Sequence, residues 1–113
     1  MSGRLVGEVF KCAPTDLTPS EMLVLVALAE QARDRDRIAR FSTAATIAEH
    51  THLAYGTVRN VLSGLAARGL ITRIGGRAHI GKAQDYLISE LSENHRIATI
   101  NGHHHPAESV TQQ

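Results

Sequence analysis

Apolar positions fall into three blocks along the chain, each with its own period. The first is announced by Thr18-Pro19-Ser20-Glu21. Thr18 is suited to cap a helix, Pro19 stands where a missing N–H costs nothing, and Glu21 is placed to close a capping box. The helix that follows runs MLVLVALAEQA and is apolar all round from Met22 to Ala29. That is too wide a stripe for one packing surface, so something must cover its second face, either the N-terminal arm or a second subunit.

The second block, FSTAATIAEHTHLAYGTVRNVLSGLAARGL, reads as two short helices joined by a tight turn. In the first, over residues 43–50, Ser42 or Thr43 caps the start, and Ile47 and Ala48 face inward. The second repeats apolar residues at Val58, Val61, Leu62 and Leu65, one stripe of a 3.6-residue period. Thr51-His52-Leu53 between them can only be a turn. His52 stands where such turns often place a glycine with positive φ, so mild strain is expected there.

The third block follows Gly69, a helix-terminating glycine. Residues 70–74 read as a strand, residues 75–82 as a glycine-rich loop, and the alternation over residues 83–88 as a returning strand. The result is a β-hairpin after the helix pair, the wing of a winged helix.

The flanks are weaker. Leu5, Val6, Val9 and Phe10, broken by Gly3 and Gly7, fit a strand or one helical turn ended by Pro14, an ordered arm that covers something. Arg33-Asp34-Arg35-Asp36-Arg37 alternates in sign and reads as a solvated loop after the first helix. Beyond Ser89 hydrophobicity fades. Leu91, Ile97 and Ile100 can extend a short helix, and residues 101–113 have the composition of a disordered tail. The expected organisation is an arm over 1–16, one domain over 17–90 and a tail over 91–113, mainly α with a small β-hairpin (α+β).

Composition narrows the class. A chain of 113 residues with 42% hydrophobic residues, no Trp and 4% aromatic content holds one core built from Leu, Val, Ile and Ala. Cys12 is the single cysteine, so an internal disulfide is excluded and a reducing, cytoplasmic setting is expected. No apolar run approaches the ~20 residues of a membrane span, and the N-terminus lacks a secretory pattern.

Net charge says little, because 12 Lys and Arg face 11 Asp and Glu. Its distribution says more. After Glu49 the next acid is Asp85, and between them stand Arg59, Arg68, Arg73, Arg77 and Lys82, with His52 and His79 able to add charge. The second half of the helix pair and the hairpin should therefore present a positive face.

At LTPSEMLVLVALAEQA, TIAEHTHLAYGTVRNVLSGLAARGLI and the glycine-arginine hairpin, the sequence resembles the winged helix-turn-helix domains of phage and plasmid replication initiators and small bacterial regulators. The resemblance spans residues 17–88. It implies sequence-specific binding of double-stranded DNA, as a transcriptional regulator or as a replication initiator of a mobile element. In the family pattern the recognition helix opens with a capping Ser, then basic residues, then Thr-Val. Here Ala54, Tyr55 and Gly56 precede Thr57-Val58, so Thr57 is left to bind a phosphate or to cap the helix one turn late.

If the apolar stripe of that helix faces inward, Gly56, Asn60, Ser63 and Ala67 face outward, flanked by Tyr55 and Arg59. Asn60 can pair bidentately with adenine and Arg59 with guanine, each worth ~1–3 kcal/mol of discrimination. Tyr55 offers a hydroxyl to phosphate or a ring to a thymine methyl, and Thr43 and Thr46 at the preceding helix start suit a phosphate. In the hairpin, Arg77 and Lys82 can reach the DNA backbone or minor groove, His79 adds a titratable charge, and Arg73 either joins them or forms a surface ion pair.

Other classes find less support. No nucleophile–base pair, phosphate loop or paired-carboxylate setting stands out, so an enzyme is not expected, nor a cofactor. His103-His104-His105 is read as a plain polar tail or an appended remnant rather than a metal site. The rival to DNA binding is a protein-interaction module using Tyr55, Arg59 and the hairpin. A homodimer through the arm and first helix is the remaining partner expected.

Overall fold

The computed structural model describes residues 3–74 and 84–91. In chain order it has α1 (Gly3–Cys12), α2 (Pro19–Gln31), β1 (Ile38–Ser42), α3 (Ala44–Thr51), α4 (Tyr55–Ala67), β2 (Ile71–Ile74) and β3 (Gln84–Ile88). The protein is thus mainly helical, with a small antiparallel sheet of order β1-β3-β2. Among the described residues, no helix is long and apolar enough to cross a membrane.

The capping box forms as the sequence dictates. Glu21 donates its N–H to Thr18 Oγ1 at 3.1 Å, and Thr18 donates its own N–H to Glu21 Oε1 at 2.8 Å. The helix so started is the centre of the molecule, in contact with α1, α3, α4, β1 and β3. Val24, Leu25, Leu28 and Ala29 are fully buried along it.

The region read as a strand or a single turn is instead a helix of ten residues, α1. Leu5 and Val9, one turn apart, bury against α2 and supply the second cover that its apolar girth demanded. This face is therefore covered from within the chain. Phe10 and Leu23 are left 62% and 42% exposed.

The Arg33–Arg37 stretch departs further from expectation. The α2 helix does end there, at Gln31, but after one turn the chain enters β1, a strand the sequence reading missed. Arg37, expected in solvent, turns inward at φ 61°. Its guanidinium bonds both carboxylate oxygens of Glu8 and donates to the carbonyls of Ile88 at 2.9 Å and Ser89 at 2.8 Å. Leu91 donates its N–H to the same carboxylate at 2.8 Å. One ion pair thus ties α1, the start of β1 and the exit of β3 together, and Leu91 is buried beside it.

The β3 strand lies between the other two. Ile38 and Ala39 of β1 pair with Leu87 and Tyr86, with an irregularity before Ser42 pairs with Gln84. On the other side Ile71, Thr72, Arg73 and Ile74 of β2 pair with Ile88, Leu87, Tyr86 and Asp85. Among the described residues the core is aliphatic, as composition requires, and Tyr86 joins it.

Candidate nucleic-acid interface

The α3–α4 pair is set by short-range chemistry. Thr43 is the N-cap of α3, accepting from the Thr46 N–H at 3.0 Å and donating its hydroxyl to Thr46 Oγ1 at 2.8 Å. At the other end, buried Thr51 returns its hydroxyl to the Ile47 carbonyl at 2.7 Å, which satisfies it within its own helix. His52 then takes the left-handed conformation, φ 63° and ψ 26°, as expected of that turn position.

The stripe of α4 falls as its period predicts. Val58, Val61, Leu62 and Leu65 are buried, while Tyr55, Gly56, Thr57, Arg59, Asn60, Ser63 and Ala67 are all exposed. The helix begins at Tyr55 with Ala54 as N-cap, and no side chain caps it. Thr57 therefore lies in the first turn rather than at a delayed start, which corrects the idea of a late cap. The end of α4 is a double turn closed by Gly69 at φ 78°, with Gly69 N–H on the Ala66 carbonyl and Leu70 N–H on the Leu65 carbonyl, both at 3.0 Å.

At 100° per residue the exposed arc of α4 has two flanks around a small-residue centre of Gly56, Asn60, Ser63 and Ala67. One flank holds Thr57, Gly64 and Arg68, the other Tyr55, Arg59 and Ala66. Acid approaches the first flank from outside the acid-free stretch of sequence. Asp16 bonds Arg68 at 2.8 Å, and a Glu21 carboxylate oxygen comes within 4.0 Å of where a Cβ on Gly64 would lie. Arg68 thus leaves the positive face that its place in the sequence suggested.

The second flank is different. Arg59 Cζ lies over the Tyr55 ring, 5.9 Å from its centroid, a cation–π arrangement between residues one turn apart. Further along, Ser63, Ala66 and Ala67 of α4 and Ile71, Thr72 and Arg73 of β2 line a shallow groove of about 480 Å³. Ser63 on α4 and Arg73 on β2 are thereby brought to one surface. Thr72 joins them, exposed on β2, a residue the sequence reading passed over because a strand threonine has no local signature of contact.

The centre of the arc is low. Nothing lies within 4 Å of a Cβ built on Gly56, so its place on the exposed arc is open space. Thr43 and Thr46 sit apart from this surface by sequence but at the start of the helix that packs on α4. Of the remaining candidates, Arg77, His79 and Lys82 lie outside the described residues, as do Ile97, Ile100 and the three histidines of the tail.

Comparison of the chain with family models, with curated proteins and with solved structures finds no match.

Proposed function

We propose that the chain is a winged helix-turn-helix domain that binds double-stranded DNA sequence-specifically, in the role of a transcriptional regulator. The observation that carries this reading is the exposed arc of α4, a helix small at the centre of that arc and itself free of carboxylates, beside a groove that Arg73 helps to line. The order of elements from α2 onward supports it: a helix, a strand, two helices and two strands, with the last of these strands in the middle of the sheet.

In this reading α4 lies in the major groove. The low centre at Gly56 lets the backbone approach the base edges, where Asn60 pairs with adenine and Arg59 with guanine. Ser63, Thr72 and Arg73 receive the adjoining phosphates along the α4–β2 groove, fixing register rather than sequence. Thr46, whose oxygen is held by the Thr43 hydroxyl, keeps its own hydroxyl hydrogen to donate to a phosphate across the groove. A two-fold dimer through α1 and α2 would use Phe10 and Leu23, large apolar side chains exposed on those helices.

The test is binding of a labelled random-sequence duplex pool, followed by anisotropy across a salt series and by selection of the retained sequences. Binding that falls log-linearly with salt and yields a recurrent motif is the expected result. Absence of any binding in dilute buffer removes the proposal, and the symmetry of the motif reports whether one or two copies bind.

A further inference from the structure

The stacked pair on the α4 flank fixes more than the presence of a contact. Tyr55 and Arg59 are both exposed, one turn apart, with the guanidinium over the phenol ring at 5.9 Å from its centroid. The Tyr55 ring is thus placed to orient the Arg59 side chain. Resting on the DNA-binding reading above, we infer that Tyr55 and Arg59 form one reading unit whose target is a guanine next to a 5-methylpyrimidine, the methyl group being recognised by the tyrosine ring.

The argument is geometric. A guanidinium that bonds guanine O6 and N7 bidentately lies in the plane of that base, because both acceptors lie in that plane. The ring, its centroid 5.9 Å from the guanidinium, is then offset from that base toward a neighbouring base pair, the spacing being about 3.4 Å per step. What a neighbouring pair presents to an apolar ring at the major-groove edge is the C5 position of its pyrimidine. Thymine carries a methyl there and cytosine does not. The ring thus gains contact area from a methyl and none from its absence.

The pairing also explains why an aromatic residue stands at the first position of α4, where the resembling domains carry a basic one. A lone arginine at an exposed position keeps its full rotamer freedom, and ordering it on binding opposes affinity. The contact with Tyr55 restricts that freedom before DNA arrives. Substrate chemistry follows from this: thymine or 5-methylcytosine satisfies the unit, whereas uracil or unmodified cytosine does not.

The experiment uses the full chain and the best duplex recovered from the random pool. Each thymine in turn is replaced by deoxyuracil, which removes only the methyl group. A motif containing guanine beside thymine is expected, with binding about 4-fold weaker when that one thymine becomes uracil, the scale of burying a single methyl group. In Tyr55→Ala the uracil effect vanishes, in Tyr55→Phe it persists, and in Arg59→Ala the preference for guanine is lost while salt-dependent binding remains. Circular dichroism and thermal melting of each variant establish that it folds. If the motif lacks such a step, or uracil is bound as well as thymine at every position, the inference is overturned while DNA binding stands. If no duplex binds at all, both readings fall together.

Discussion

Arg37 reaches across the molecule to Glu8, 29 residues earlier, and both of its terminal nitrogens bond that carboxylate. The two side chains are 14% and 17% exposed, so the pair is largely shielded from water and from screening ions. Removing one partner strands the other. Arg37→Ala leaves the Glu8 charge unanswered and the carbonyls of Ile88 and Ser89 without their side-chain donor. An expected loss of about 3 kcal/mol, read from urea unfolding, is the scale for breaking such a pair. A loss under about 0.5 kcal/mol would mark it as an ordinary surface bridge.

The same pair shapes the acid limb of stability. Burial pushes the Glu8 carboxyl up, but the hydrogen bonds from Arg37 and from the Leu91 N–H, with the charges of Arg37 and Arg4, together hold it below the ordinary value of 4.5. A carboxyl depressed in the folded state stabilises above its unfolded value, and this contribution is lost as pH falls through the lower, folded value. Glu8→Gln should therefore flatten the decline in melting temperature below about pH 4.5 while lowering the plateau near neutrality. An unchanged acid slope would count against the linkage.

His52 holds φ 63° with a side chain, where glycine would hold it without steric cost. His52→Gly should raise the melting temperature by about 3 °C, corresponding to roughly 0.5 kcal/mol after the greater freedom of the unfolded glycine is discounted. His52→Val, branched at Cβ, should lower it. Equal melting of all three would show that the turn carries no strain.

Gly56 separates folding from function. Because nothing approaches a Cβ built there, Gly56→Ala should stabilise the helix by about 0.5–1 kcal/mol. The bulkier Gly56→Leu keeps the fold but lifts α4 from the base edges, and its duplex binding should weaken at least about 10-fold, or roughly 1.4 kcal/mol. Unimpaired binding by the leucine variant would place the DNA on another face.

Arg73 and Arg35 make a matched pair of cations on different surfaces. Arg73 borders the α4–β2 groove, while Arg35 lies on the turn between α2 and β1. Arg73→Ala should reduce the slope of log affinity against log salt by about 0.9, one phosphate contact, and Arg35→Ala should leave it unchanged. Equal slopes for both variants and the parent chain would remove Arg73 from the interface.

What could be read from the chain alone was local chemistry. Thr18 with Glu21, the stripe from Val58 to Leu65, the positive φ at His52 and the ending at Gly69 are each written within a few residues, and each is found in place. What could not be read was assembled at long range. The β1 strand contains Arg40, four residues from Asp36 and paired with it as on a helix, and its real partners are in β3. Likewise nothing near Glu8 or Arg37 announces a partner 29 residues away. For α1 the difficulty was its two glycines and an exposed Phe10, which blur a period that Leu5 and Val9 in fact keep. At the candidate interface, charge along the sequence overstated Arg68 because Asp16 reaches it through space.

Among the described residues, the central strand of the sheet is also the latest of the three in the chain. Until Gln84–Ile88 has been synthesised, Ile38–Ser42 and Ile71–Ile74 have no neighbour to bond with, since each touches only that strand in the sheet. Birth of this protein is consequently back-loaded: helices can gather as they emerge, whereas both outer strands wait for one late segment. A nascent chain arrested before residue 84 has emerged should remain sensitive to protease, and one extended until Gln84–Ile88 is free of the ribosome should convert abruptly to a resistant form.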